Sequence, residues 1–396
     1  MKKYKTVQTL LAHASIEPDQ HHGFVNTPVY RGSTVAFPTC ESMREGRQKY
    51  AYGRWNNPST EALTEALKHL EGAEGTVLCP SGLSACTTAI LSVVGMGDHI
   101  LIADNVYAPV RVFCEQVGKR LGIEASFYDP TVGSGIVDFL RPNTRAIYLE
   151  SPGSLTLEIQ DIPAIAKVAH DHDILVIADN TWGTPLYCPT MELGVDLSIM
   201  AATKYIVGHS DAVLGTVSAS KRAWESLRRY HFNMGLFASP DDVTLALRGM
   251  RTLDVRLERH YKNATMVAKW LESREEVIAV HYPALESHPQ HDLWKRDFKG
   301  ASGLLSFTIQ PSTQPAADAL LDNLSLFSIG YSWGGFESLA MIADPKPVRS
   351  ATSWEVDGHL VRLHIGLEDP SDLIADLAEG FARFNILRSP HTAKYS

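Results

Sequence analysis

From residue 59 onward, short apolar runs alternate with segments whose apolar positions recur every three or four residues. "STEALTEALKHLEG" (59–72) predicts a helix: Ser59 or Thr60 caps it, acids come early, Lys68 comes late, and Gly72 stops it. "TVLCP" (76–80) predicts a short strand, and "GLSACTTAILSVV" (82–94) a helix that opens on a glycine. "HILIAD" (99–104), "RAIYLE" (145–150) and "ILVIAD" (174–179) are apolar runs bounded by polar residues, the pattern of strands buried in a parallel sheet. "DIPAIAKVAHDHD" (161–173) reads as the crossover helix, with Pro163 near its first turn. This alternation predicts an α/β fold with a mostly parallel sheet. Residues 1–58 are rich in Pro, Gly, His and Tyr and show little periodicity, so they predict an arm. Near 250 the pattern changes: 245–273 predicts a long helix linking two domains, and 303–310, 359–369 and 371–384 predict a smaller C-terminal α/β domain. The expected division is an arm over 1–58, a large domain over 59–250 and a small domain over 251–396.

The length of 396 residues fits this division, being too great for one ordinary core. The chain is 44% hydrophobic and 20% charged, the balance of a soluble globular protein. Net charge is −9 with no basic tract, which argues against nucleic acid or an anionic membrane as partner. No apolar run reaches the about 18 residues that span a bilayer. The basic start "MKKYK" is followed by an apolar stretch too short and broken to read as a signal peptide. Five cysteines without a C-x-x-C pair read as reduced thiols in a cytoplasmic protein. The sixteen histidines lack metal-site spacing, so "HH" (21–22) and "HPQH" (288–291) read as surface loops and no metal is expected.

Ligands of such sheets bind beyond the carboxyl ends of the strands, which gives weight to three stretches. "PSGLSA" (80–85) is a small-residue turn opening a helix, able to offer backbone N–H groups to a phosphate. "ADNTWGTP" (178–185) puts Asp179 at a strand end, and "MAATKYIVGHSDAVLG" (200–215) puts Lys204 just past the strand "LSIM". Singly, each has an ordinary reading: a tight turn, a loop acid, a surface lysine. Together they fit pyridoxal phosphate: an amine for its aldehyde, a carboxylate for its ring nitrogen, and a phosphate cradle. Tyr107 in "ADNVYAP" could stack on the ring, or be a strand-end aromatic. A nucleotide-binding module is the reading from a different class, but the first strand–helix turn lacks G-x-G-x-x-G and the Walker pattern.

The motifs "YGRWNNPS" (52–59), "SGLSA", "ADNTW", "ATKYIVGHSDAVLG", "LRGMRTL" (247–253) and "RLHIGLED" (362–369), in this order, resemble the Cys/Met-metabolism family of pyridoxal phosphate enzymes over nearly the whole chain. The resemblance implies fold type I, with a mostly parallel seven-stranded sheet in the large domain. It implies that Lys204 carries the cofactor and shuttles protons, that Asp179 partners the ring nitrogen, and that Tyr107 stacks. Gly82, Leu83 and Thr203 match phosphate positions, while Tyr52 and Arg54 match residues lent to a neighbouring subunit's phosphate. Arg362, otherwise an ordinary strand arginine, matches the substrate carboxylate grip. Tyr331, Ser332 and Trp333 match the substrate pocket, where Trp333 could equally be simple packing. Tyr52 or Tyr107 would assist proton transfer. A homotetramer of dimers with shared active sites is also implied. Within the family, "ESPGSLTLEIQDI" (150–162) and Tyr331 in "YSWGGFESL" resemble the beta-lyase versions. The expected activity is therefore α,β-elimination of L-cystathionine, an amino-acid thioether, in methionine biosynthesis. Alternatives are a gamma-acting lyase or synthase, or a broad cysteine desulfhydrase. Three features depart from this pattern: Ala201 stands where many members have Ser, "YGRWNNPS" keeps an Asn-Pro common in gamma-type members, and Arg111 has no evident partner.

Overall fold

The computed structural model describes residues 6–388. The first five residues of the predicted arm and the last eight of the predicted C-terminal domain lie outside them. The chain builds two sheets. The first contains β1 (Gly75–Cys79), β2 (His99–Ala103), β3 (Glu124–Tyr128), β4 (Thr144–Glu150), β5 (Leu175–Asp179), β6 (Leu197–Met200) and β7 (Gly215–Ala219). Their order is β1-β7-β6-β5-β4-β2-β3. The run from β6 to β3 is parallel, and β7 is antiparallel to both its neighbours. β1, β2 and β6 are buried along their whole length, so "HILIA" shows no polar alternation.

The second sheet contains β8 (Val277–His281), β9 (Leu304–Ile309), β10 (Ser328–Ile329), β11 (Leu339–Ala343) and β12 (His359–His364), in the order β10-β11-β12-β9-β8. It is antiparallel except for the short β10–β11 pair. β12 carries Arg362, flanked in register by Met341 and Ser306.

Three expectations need correction. The first long helix is Pro58–Glu71, and its cap is Asn57, whose side chain accepts the Thr60 N–H at 3.0 Å. Ser59 is buried instead: its hydroxyl donates to Pro28 O at 3.0 Å and accepts the Tyr30 N–H at 2.9 Å, stitching the arm down. The predicted long helix is two, Pro240–Met250 and Leu253–Glu272. At the break, Arg251–Thr252, Gly249 O and Thr252 Oγ1 accept from the buried Arg256 at 2.7 and 3.1 Å. Finally, His21 and His288 are buried rather than exposed in loops. All five cysteines are free thiols, four of them buried.

Arg111 has its partners inside the protein. Its guanidinium pairs with the buried Asp104, donates to Ser350 Oγ at 3.0 Å and lies over the Phe127 ring at 3.5 Å. Asp104 also accepts the N–H groups of Ser350, Ala351 and Thr352. The segment between β11 and β12 is thus tied to the loop after β2. Asp104→Ala would leave the buried Arg111 with the exposed Glu115, at 3.3 Å, as its remaining ion-pair partner. It is expected to lower the unfolding free energy by about 3–5 kcal/mol in denaturant titration, where a loss within about 0.5 kcal/mol would refute the tie.

Glu71 is buried with one partner, the Ser198 hydroxyl at 3.1 Å. Burial raises its pKa to about 8, against the pull of Ser198. The folded state therefore holds a proton that the unfolded chain releases near pH 4.5, the ordinary value. This contribution is complete below that pH and is lost as pH rises through about 8. Glu71→Gln is expected to raise the melting temperature increasingly from pH 5 to pH 8, with a plateau above. A pH-independent difference would contradict the buried acid.

Candidate active site

The carboxyl ends of β4, β5 and β6 form the floor of a cavity of about 390 Å³. Ten of the sequence-predicted residues line it: Gly82, Leu83, Tyr107, Asp179, Thr203, Lys204, Tyr331, Ser332, Trp333 and Arg362. They come from both sheets. Tyr52 and Arg54 do not reach the cavity of their own chain. Tyr52 pairs with Thr34 in an isolated bridge and packs on Trp55, while Arg54 donates to Phe232 O at 3.3 Å.

Lys204 sits in the turn after β6, its N–H bonded to Ala201 O at 2.9 Å and its carbonyl to the Gly208 N–H at 2.7 Å. Its Nζ donates to Ser332 Oγ and lies 5.4 Å from the Trp333 ring centre. Ser332 has φ +80°, a region that residues with a side chain rarely occupy. Next to it, Gly334 has φ +89°, and a Cβ there would stand 2.8 Å from Lys204 Cα. Burial, then the charge of Arg362, lower the Lys204 pKa to about 8 against the pull of Asp179. Lys204 is therefore an amine held in a pocket.

Asp179 accepts the Thr181 N–H at 2.9 Å and the Thr181 hydroxyl on one oxygen, and the Cys86 thiol at 3.8 Å on the other. Burial raises its pKa above the usual carboxylate range, while Thr181, Cys86 and Lys204 oppose the rise. The Thr181 hydroxyl in turn accepts the Ala201 N–H at 2.9 Å, linking β5 to the start of the Lys204 turn.

The helix Gly82–Val93 points its first turn at the cavity. Ser81 takes the N–H groups of Ser84 and Ala85, at 3.1 and 3.0 Å. Gly82 and Leu83 thus keep the helix-start N–H groups that a phosphate needs. A Cβ on Gly82 would meet Ala201 Cβ at 2.6 Å, so only glycine lets this turn approach the end of β6. Thr203 lines the cavity, but its hydroxyl donates to Leu214 O at 3.1 Å and accepts the Leu214 N–H at 2.9 Å. Arg362 donates to Ser332 O at 3.3 Å.

These residues fit pyridoxal phosphate: an amine with a lowered pKa, an acid at a strand end, an uncovered helix start closed in by Gly82, and an aromatic, Tyr107, at the wall. Sequence reading missed Glu150, Cys86 and Thr181, which also line the cavity. Glu150 ends β4 just as Asp179 ends β5, so the strand-end rule that found one acid could have found the other. Cys86 and Thr181 left no such signal.

A family model described as Cys/Met metabolism PLP-dependent enzyme matches residues 8–382. The chain belongs to that family, and it is a pyridoxal phosphate enzyme of fold type I. Among similar proteins, one of Rhizobium johnstonii, whose name cystathionine beta-lyase is provisional, is 50% identical over 95% of this chain and 96% of its own. The cystathionine beta-lyase of Escherichia coli is 40% identical over 96% of this chain and 99% of its own. The solved cystathionine gamma synthase of Xanthomonas oryzae pv. oryzae superposes with a TM-score of 0.89 at 31% identity, covering 97% of this chain and 100% of that one. Among the described residues, no helix is long and apolar enough to cross a membrane.

The lowered Lys204 pKa has a direct consequence. Only the uncharged amine attacks an aldehyde. The rate at which cofactor-free protein takes up pyridoxal phosphate, followed by absorbance, is expected to rise with pH around a midpoint of about 8. Arg362→Ala removes a cation and is expected to move that midpoint upward. A flat profile between pH 6 and 10 would contradict the buried amine.

Proposed function

We propose that the protein is a carbon–sulfur lyase that performs α,β-elimination on L-cystathionine, converting it with water to homocysteine, pyruvate and ammonia. The observation that carries this reading is the cavity wall formed by Tyr331, Ser332 and Arg362. The only carboxylates among the described lining residues, Glu150 and Asp179, lie on the opposite, strand-end side. Gamma-elimination has a second proton to remove, from Cβ, a step that a carboxylate on this wall would assist. Breaking the Cβ–S bond needs only the Cα proton to leave. The names of the relatives at 50% and 40% identity support the same reading.

Bound here, pyridoxal phosphate supplies an electrophilic carbon for an amino group and an electron sink for charge at Cα. Gly82 and Leu83 would hold its phosphate through backbone N–H groups, Tyr107 would cover its ring, and Asp179 would keep a negative charge toward its ring nitrogen. Lys204 Nζ takes the Cα proton and delivers it to the departing sulfur. Arg362, steadied by Ser332 O, grips the substrate α-carboxylate in its planar fork. Ser332 Oγ steers the Lys204 amine while that proton is in transit.

The exposed Tyr52 and Trp55 of the arm support a further part of the reading. Tyr52 and Arg54 would complete the phosphate site of a neighbouring subunit, in a homotetramer built from dimers with shared sites. We place this enzyme in the cytoplasm, in methionine biosynthesis.

Incubation with L-cystathionine is expected to give pyruvate and homocysteine by mass spectrometry. Formation of 2-oxobutyrate and cysteine would establish a gamma-acting enzyme instead, the reading that "YGRWNNPS" favours. Lys204→Ala is expected to reduce turnover more than about a thousandfold, and Asp179→Ala by on the order of a hundredfold or more.

A further inference from the structure

Glu150 and Asp179 are the last residues of adjacent parallel strands and are direct register partners. Parallel partners point the same way, so the two side chains stand side by side, one strand spacing apart. Both line the cavity. Two like charges so close in a poorly hydrated site do not both persist; one carboxyl keeps a proton.

The donors decide which. Asp179 receives the Thr181 N–H, the Thr181 hydroxyl and the Cys86 thiol. The Glu150 carboxyl receives one N–H, that of Tyr107, at 2.6 Å. Other ionisable groups near it are Tyr148 on its own strand, Cys86 on the helix Gly82–Val93, and Tyr107 itself, none of them a cation. Lys204 acts on Asp179. Charge is therefore better accommodated on Asp179. Burial, then the negative charge of Asp179, push Glu150 well above the usual carboxylate range, opposed by the Tyr107 N–H alone.

Tyr107 gains its fixed place from the same contact. It precedes the short helix Ala108–Phe113 and has no side-chain cap of its own, and its ring is about half exposed at the cavity wall. The Glu150 carboxyl is the hydrogen-bond partner that ties its backbone to the strand ends.

We propose that Glu150 is a positioning residue that stays protonated: it anchors the backbone of Tyr107 over the cofactor site and leaves the negative charge undivided on Asp179. This rests on the family's cofactor binding in the cavity and not on which thioether is cleaved. Glutamine is a neutral copy of a protonated glutamate and keeps an oxygen for the Tyr107 N–H, whereas alanine keeps neither.

The test compares Glu150→Gln and Glu150→Ala with the wild type in three measurements: dissociation constant of pyridoxal phosphate from the cofactor-free protein, visible circular dichroism of the loaded protein, and melting temperature. Glu150→Gln is expected to bind the cofactor within threefold of wild type with an unchanged visible spectrum. Glu150→Ala is expected to bind at least tenfold more weakly, with an altered visible spectrum and a melting temperature near wild type. A glutamine variant as impaired as the alanine variant would show that the charge is needed and overturn the proposal. So would an alanine variant with wild-type affinity and spectrum. If the alanine variant fails to fold, the glutamine variant decides alone: normal binding sustains the protonated anchor, and weakened binding overturns it. L-Cystathionine turnover is not used in this test, so its failure is separate from a failure of the proposed reaction.

Discussion

The site depends on a backbone contact between the two sheets. The turn carrying Lys204 lies against Gly334 so closely that any side chain at 334 would strike the lysine backbone. Tyr205, the aromatic beside Lys204, is fully buried and fills the same junction. Its ring packs on Trp333, His260 and His364, and its hydroxyl accepts the Gly303 N–H at 2.9 Å. His364 Nε2 lies 3.1 Å from both Gly334 N and Gly335 O, and burial lowers the pKa of that imidazole and keeps it neutral. With this junction packed, Ser332, Trp333 and Arg362 of the second sheet face Lys204 and Asp179 of the first. Separating the sheets would scatter the amine, the acid and the arginine together.

Burial then gives these groups their chemistry. Lys204 loses proton affinity because it is out of water and faces Arg362. Asp179 gains proton affinity from burial, but its three donors restrain the gain. An amine with lowered proton affinity and an acid whose gain in proton affinity is restrained follow from one cavity, because the protein supplies hydrogen-bond donors to the acid and a neighbouring cation to the amine.

Much of this was legible in the sequence. Continuous apolar runs marked β2, β4 and β5, and the strand-end rule drew attention to Asp179 and the turn beyond β6. β7 escaped because "GTVSA" carries small hydroxylated residues, whose burial is satisfied by pairings such as Thr76 with Ser218 at 2.8 Å. β3 escaped because it is an edge strand, partly exposed, with no apolar run. The break at Arg251–Thr252 went unread because Gly249, the glycine nearest it, lies inside the first helix and not after it; a buried arginine from the following helix donates to Gly249 O and Thr252 Oγ1. Arg362 reads as an ordinary strand residue until the fold turns β12 toward the cavity. The role proposed for it comes only through family resemblance, as do those proposed for Tyr52 and Arg54.

The loop that walls the substrate side shows how far such positioning extends. Pro152, Gly153, Ser154, Leu155 and Leu157 border the cavity and take no part in either sheet. Asn105 O accepts the Ser154 N–H at 2.8 Å, and Asn105 Nδ2 donates to Glu158 at 3.3 Å. From the segment between β11 and β12, the buried Arg349 reaches Thr156 and pairs with Glu158 at 2.7 Å. The neighbouring residues 350–352 are those clasped by Asp104. The wall "PGSLT" is therefore held from the loop after β2, which carries Tyr107, and from the connection leading into β12, which carries Arg362. Its shape is tied to Tyr107 and Arg362 at once. Residues such as Asp104 and Arg349, which do not line the cavity, thereby help to set the shape of its wall.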